Sequence, residues 1–212
     1  MYLSKLLLDP KNRQVQREIS NRYELHRTLT AQFSEEKRPE IGLLYRLELA
    51  NQQNIANIPL LVQTQCIPSW DDLFKAGMLT TCPEVKAFDI NFSVGDRFYF
   101  RLFGNPTTRK IQPDRKSKRV GLYTTEEQQI WLQRKADQSG FEILGVDVRD
   151  FGLLESVKHK NEQKFIIKHL AVQFDGILRV TNVAKFTAAY TNGIGSAKAF
   201  GFGLLSLAKY VA

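Results

Sequence analysis

Asn192-Gly-Ile-Gly-Ser-Ala-Lys-Ala-Phe-Gly-Phe-Gly-Leu-Leu-Ser-Leu207 has, at first sight, the look of a nucleotide-binding loop, and whether it is one settles what kind of sheet the chain builds. The dinucleotide fingerprint requires a third glycine where Lys198 stands, then a helix and an acidic residue that the remaining chain cannot supply. The phosphate loop of nucleotide hydrolases requires Gly-Lys-Ser or Gly-Lys-Thr at a helix start, whereas Lys198 is followed by Ala-Phe-Gly. Neither fits, so the tract reads as a loop that turns apolar and ends the protein as a strand. Gly193, Gly195, Gly201 and Gly203 admit positive φ and close approach of backbone to a ligand, and Ser196 and Lys198 lie between them. Two readings stay open: a nest of backbone N–H donors, aided by a hydroxyl and an ammonium, around phosphate oxygens, or a tight turn followed by a glycine-kinked strand.

Working outward, a helix is expected over Val180–Tyr190, preceded by a turn at Asp175-Gly176. Upstream, Glu155–Lys160, a turn at Asn161-Glu162 and Phe165–Phe174 read as a long hairpin whose tip carries Lys158, His159, Lys160 and Lys164. Such a ribbon either enters a nucleic-acid groove or is kept soluble by its own charges. Phe141–Val148 alternates as a strand, and Thr124-Thr125-Glu126-Glu127 supplies the N-cap and acidic first turn of a helix that Ser139-Gly140 stops. The first half has the same order. Tyr2–Leu8 is a strand; Val15 and Ile19, then Leu25, Leu29 and Phe33, repeat at four and mark two helical pieces broken at Ser20-Asn21. Strands are expected at Leu43–Leu49 and Ile58–Cys66 around a polar turn at Asn51–Asn54, then a short helix at Trp70, then strands over Ala87–Val94 and Asp96–Phe103. The aromatic run Arg97-Phe-Tyr-Phe-Arg-Leu-Phe either packs on helices or stacks bases.

Each half is thus βαββαβ, and the fold class expected is α+β with two tandem ferredoxin-like domains, residues 1–104 and 123–212. Residues 105–122 lack periodicity, contain two prolines, and read as a basic linker. Between Thr107 and Arg119, Arg109, Lys110, Arg115, Lys116, Lys118 and Arg119 face only Asp114. That run is either a solvated loop or a contact for a nucleic-acid backbone.

Over 212 residues, 30 Lys and Arg outweigh 22 Asp and Glu, a formal +8 that favours polyanionic partners. The opening Met-Tyr-Leu-Ser-Lys-Leu-Leu-Leu-Asp-Pro is too short an apolar run for a signal peptide or a membrane span, so a cytoplasmic protein is expected, with no membrane partner. Cys66 and Cys82 lack metal-ligand companions and read as reduced thiols.

Three histidines offer proton transfer near neutral pH. His159 reads as solvated and His169 as structural. His26 differs, because Tyr23 precedes it by three positions, which on a helix places phenol and imidazole on neighbouring faces. The pair either serves one substrate phosphate or packs at a helix edge. No carboxylate cluster suggests a two-metal nuclease, and no metal or cofactor is expected. RNA needs neither, since its 2′-hydroxyl is the nucleophile and the protein has only to move protons and offset charge on a phosphorane.

Tyr-Glu-Leu-His-Arg-Thr-Leu at 23–29 together with Gly-Ile-Gly-Ser-Ala-Lys-Ala-Phe-Gly-Phe-Gly-Leu-Leu at 193–205 resembles the CasE family of CRISPR repeat-processing endoribonucleases, subunits of Cascade surveillance complexes. The resemblance spans the whole chain in length and element order. It implies tandem ferredoxin-like domains and metal-free cleavage just below the stem of the CRISPR repeat RNA hairpin, leaving a 2′,3′-cyclic phosphate and a 5′-hydroxyl. It places Tyr23 and His26 on the catalytic motif and Gly193, Gly195, Ser196, Lys198, Gly201 and Gly203 on an RNA-contacting loop. Family members often carry a basic residue where Ser196 stands, which leaves that loop's grip to backbone amides and Lys198. Arg27 is the cation nearest the pair in sequence, and Lys158, Lys160 and the 109–119 cations are the candidates for holding the stem. Other Cascade subunits are the implied partners. The alternative is a non-catalytic RNA-binding scaffold.

Overall fold

A computed structural model describes residues 1–48, 56–89, 91–112, 115–160 and 163–211. The turns expected at Asn51–Asn54 and Asn161-Glu162 lie outside the described residues, as do the side chains of Arg115, Lys116, His159 and Lys160.

The first sheet is built from β1 (Tyr2–Leu8), β2 (Leu44–Leu47), β3 (Ile58–Thr64) and β4 (Glu84–Ala87), with α1 (Arg13–Ser20), α2 (Arg22–Ala31) and α3 (Asp71–Lys75) in the connections. Its antiparallel order β2-β3-β1-β4 is the ferredoxin-like arrangement. The spacing of four does its expected work: Val15, Leu25, Leu29 and Phe33 are buried against Leu6, Leu8, Leu60, Val62 and Trp70. Each such side chain contributes roughly 1.5–3 kcal/mol of burial. Asn12 starts α1 by accepting from the amides of Gln14 and Val15. Asn21 separates α1 from α2 with φ −128° and ψ 85°. Its side chain does not cap α2. Instead its amide is exchanged with the main chain of Val157, donating to the carbonyl at 2.9 Å and accepting from the N–H at 3.1 Å.

The second sheet contains β5 (Arg97–Gly104), β8 (Phe141–Lys160), β9 (Gln163–Val180) and β10 (Leu205–Lys209) in the order β10-β5-β9-β8. Between β5 and α4 (Thr125–Ser139) the chain forms a separate hairpin of β6 (Thr107–Gln112) and β7 (Arg115–Gly121), and α5 (Val183–Asn192) precedes the glycine tract. The order again reads fourth, first, third, second strand, so each half is a ferredoxin-like βαββαβ unit. Thr124 and Glu127 form a capping box at the start of α4, and Gly140 ends it in the left-handed region at φ 72°.

Three expectations need correction. The boundary does not fall at 104: β5 pairs with β9 and β10, so it opens the second unit instead of closing the first. Alternation explains this, since Phe100 and Leu102 enter the second core while Arg101 pairs with Asp175 across the strands at 2.7 Å. Nor is 105–122 a linker, because Thr107–Gly121 and Arg109–Arg119 face each other in an antiparallel ladder that carries cations in place of an apolar face. Finally, Asp175-Gly176 is no turn. β9 continues through it, and Gly176, opposite Phe100, lets the backbone of Gly145 approach so closely that an added Cβ would collide with its carbonyl.

The two compact units are discontinuous in sequence. The first comprises Met1–Ile90, Glu155–Ile167 and Lys198–Gly201, and the second the remainder.

Candidate active site

Within the first unit, Leu25 and Leu29 turn one face of α2 into the core, which leaves Tyr23 and His26 half-buried on its flank. Lys158 holds its ammonium 5.2 Å from the centroid of the Tyr23 ring, a cation–π distance, and the Phe200 ring centroid lies 6.4 Å from that of Tyr23. His26 is 6.3 Å from the ring of Tyr45. Burial pushes the His26 imidazole below its ordinary pKa, so at neutral pH it is uncharged and able to accept a proton.

Beneath these residues is a buried polar layer. The Tyr45 hydroxyl lies 3.0 Å from the carbonyl oxygens of both Arg22 and Ala199, to which it donates, and burial raises its pKa far above the ordinary phenol. It is therefore a fixed donor that ties the start of α2 to the turn Lys198–Phe200. Gly201 closes this contact at φ 82°, where a Cβ would sit 3.0 Å from the Tyr45 ring and 3.3 Å from a guanidinium nitrogen of Arg22. Arg22 itself is 4% exposed, its Nη1 has no hydrogen-bond partner, and burial lowers its pKa.

His26 also lines an open cavity of about 600 Å³ together with Glu18, Glu24, Arg27, Thr28 and Arg38. Glu18 is 5% exposed, and its Oε1 accepts from Thr28 at 2.7 Å and from Gln14 at 2.8 Å, while Oε2 is unpartnered. Arg27 is paired with Glu24 at 3.0 Å on the exposed side of the helix.

The second unit gathers a different set. A cavity of about 300 Å³ is lined by Arg109, Arg119, Trp131, Arg134, Lys135, Gly195 and Ser196. The first part of the glycine tract is closed on itself there: Ile194 donates to Gly203 at 2.9 Å, and Gly203 to Phe103 at 2.8 Å. Gly193 and Gly203 adopt φ 76° and 89°, so the loop needs both glycines. The Lys135 pKa is lowered, by burial first and then by the charges of Arg134 and Arg119, which marks a site short of anions.

The candidates fall into two groups. Tyr23, His26, Arg27, Lys158, Lys198 and Gly201 belong to the first unit, and Arg109, Lys110, Lys118, Arg119, Gly193, Gly195, Ser196 and Gly203 to the second. Lys110 and Lys118 are register partners in the β6–β7 ladder. Sequence reasoning missed Arg134 and Lys135. Their signal is helical spacing, three and four residues after Trp131, which puts them on its face. Tyr45, Arg22 and Glu18 had no such signal, because what singles them out is burial. Among the described residues, no group of three or more His, Cys, Asp or Glu side chains is placed to hold a metal ion, and no helix is long and apolar enough to cross a membrane.

A family model described as "CRISPR associated protein" matches residues 1–209. The CRISPR-associated endoribonuclease Cse3 of Thermus thermophilus is 35% identical over 98% of this chain and 100% of its own length. The CRISPR system Cascade subunit CasE of Escherichia coli K12 is 28% identical over 98% of this chain and 99% of its own. A solved structure of CRISPR endoribonuclease Cse3 bound to a 19-nucleotide RNA superposes with a TM-score of 0.85 at 35% identity, covering 98% of this chain and 100% of that one. The family model and these relatives match over nearly the full length of both chains, and the chain belongs to the Cse3/CasE family of CRISPR-associated proteins.

Proposed function

We propose that the protein is a metal-independent endoribonuclease that cuts precursor CRISPR RNA at the base of the repeat hairpin and stays bound to its product within Cascade. The observation that carries this reading is the flank of α2, where an imidazole held neutral by burial lies one helical turn from a phenol covered by an ammonium. Neutral His26 takes the proton of the ribose 2′-hydroxyl, and the alkoxide attacks phosphorus. As the P–O5′ bond breaks, the Tyr23 phenol gives its proton to the departing 5′-oxygen and Lys158 offsets the charge that builds on the phosphorane; proton exchange with solvent then returns His26 and Tyr23 to their starting forms. The products are a 2′,3′-cyclic phosphate and a 5′-hydroxyl. The named relatives support the assignment, one as a CRISPR endoribonuclease with an RNA-bound structure and the other as a Cascade subunit. A cytoplasmic location completes the proposal, since that is where a CRISPR transcript meets its processing subunit.

The test is a repeat hairpin incubated with protein in EDTA, beside a copy carrying a single 2′-deoxy nucleotide at the cut. Full cleavage of the first and none of the second is expected. Dependence on divalent metal, or cutting of the deoxy copy, would overturn the mechanism, and binding of both without cutting would leave a scaffold.

The cations of the second unit serve to hold the RNA backbone. Arg109, Arg119, Arg134 and Lys135 converge on one cavity with Gly195 and Ser196, and no carboxylate lines it. Affinity is expected to fall steeply with salt, and Arg119→Ala to flatten the log K against log [salt] slope by about 1. A binding titration at several salt concentrations measures this; an unchanged slope would remove Arg119 from phosphate contact.

A further inference from the structure

Alternation along β5 divides the run Arg97-Phe-Tyr-Phe-Arg between two faces of the second sheet. Phe98 and Phe100 pack in the core with Trp131 and Leu132 of α4 and Phe186 of α5, so Arg97, Tyr99 and Arg101 point away from the helices. The open face of an antiparallel sheet is ordinarily polar. Here its middle is apolar. Ala208 of β10, Tyr99 of β5 and Ile177 of β9 stand in register as one row across three strands. Leu144 of β8 shares the face, because Phe141 and Ile143 pack in the core while Glu142 reaches Arg179 on the opposite side. Tyr99 and Leu144 are each 46% exposed. The Tyr210 ring braces that of Tyr99, with centroids 5.2 Å apart and planes at 47°, so the exposed phenol is held in place before anything binds. The rows on either side are charged. Arg97 and Arg179 lie directly opposite each other, an arrangement that weakens a ladder unless anions offset it. Glu142 pairs with Arg179, and among the described residues no carboxylate pairs with Arg97. In the row beyond Tyr99, Arg101 is closed by Asp175 through bonds of 2.7 and 3.0 Å.

We propose that this face is a stacking platform for an unpaired base of the RNA, with the base laid on the Tyr99 ring and a neighbouring phosphate at Arg97. A nucleotide joins a flat π-face to an anion one sugar away, and an aromatic ring beside an uncompensated guanidinium offers the complement of both. Bases inside a stem already stack on one another, so the occupant is single-stranded. The other occupant for an exposed apolar face is a protein. Size disfavours it: a stable interface buries about 800 Å² per partner, whereas the apolar part of this face exposes two large side chains, each by less than half, among charged rows. The inference rests on the reading of the protein as an RNA-processing subunit, and adds a contact that takes hold of the unpaired arms and not of the stem.

The experiment compares the affinity of the full-length protein for three RNAs: the bare repeat hairpin, the hairpin with its single-stranded repeat arms, and the same armed hairpin with abasic arms. Both armed RNAs carry a 2′-deoxy nucleotide at the cut so that they stay whole. Wild-type protein is expected to bind the armed RNA about 10-fold more tightly than its abasic copy, the effect of one stacked base. Tyr99→Ala and Tyr99→Leu should both remove that preference, since leucine restores apolar volume without an aromatic face, and Tyr99→Phe should keep it. All three variants should bind the bare hairpin as wild type does, and because each preference is a ratio taken within one protein, a general loss of stability cancels. Arg97→Ala should flatten the log K against log [salt] slope by about 0.7 for the armed RNA and leave that of the bare hairpin unchanged. Equal wild-type affinity for armed and abasic RNA, or a preference that survives Tyr99→Ala, would overturn the platform. A preference retained by Tyr99→Leu would overturn it too, by showing that the face needs only apolar bulk. If the wild-type protein does not bind the bare hairpin, the RNA reading itself falls, which is a separate and recognisable outcome.

Discussion

His26→Ala is expected to lower single-turnover cleavage of the repeat hairpin by about 10²–10⁴-fold, the usual scale for losing a positioned general base, and to leave hairpin affinity nearly unchanged. The imidazole is half-buried beside Tyr45 and carries no charge at neutral pH, so it adds little to an electrostatic grip on RNA. Its pKa lies below the ordinary 6.5 because burial penalises the cation. The neutral, proton-accepting form is therefore full at pH 7–8 and is depleted only as the pH falls through that depressed value. Wild-type cleavage should be flat above pH 7 and decline on the acid side. A rate that instead rises as the pH is lowered would give His26 the role of acid, and unchanged cutting by the variant would remove it from the chemistry.

Gly176→Ala is expected to be the most damaging small substitution in the second unit, at about 3 kcal/mol or more, beyond ordinary overpacking because the obstacle is backbone. An alanine Cβ would meet the Gly145 carbonyl oxygen at 2.1 Å, with Phe100 and the Val146 Cα at 3.0 Å behind it. β9 is an interior strand of its sheet, so neither neighbour can withdraw without breaking the ladder. Gly145→Ala makes a matched control, since a Cβ there meets nothing within 4 Å. Thermal denaturation should show a large drop for the first and almost none for the second. Equal melting temperatures would show that the two strands can part at no cost.

That same glycine shows where the sequence misled. Asp-Gly flanked by apolar runs is a strong turn signal, but the signal is local and the cause here is tertiary: Asp175 is fixed by Arg101 and Gly176 by the nearness of Gly145. Helix boundaries were legible because their determinants are local. Thr124 and Glu127, and Gly140, act within one turn of where they stand. The β6–β7 hairpin was not, since a ribbon whose strands carry Arg109, Lys110, Lys118 and Arg119 has no alternation to read. At the site, Tyr23 and His26 could be found because they share a helix. Tyr45, Arg22 and Glu18 could not, as what marks them is burial, and the Ala199 carbonyl that Tyr45 reaches is far away in the chain.

The first unit is assembled from three separate stretches of chain, and this bears on how such a protein can be inherited. A gene fragment ending at Ile90 would encode β1 to β4 and α2, but not Val157, which holds Asn21, nor Lys158, which covers Tyr23, nor Ala199 and Gly201, which pack on Tyr45. Recombination that shuffles whole domains therefore has no clean crossover point from which to lift this unit. The β6–β7 hairpin is continuous in sequence and can be exchanged as a cassette. Under the proposed function, lineages of this architecture are free to revise that hairpin far more readily than the flank of α2.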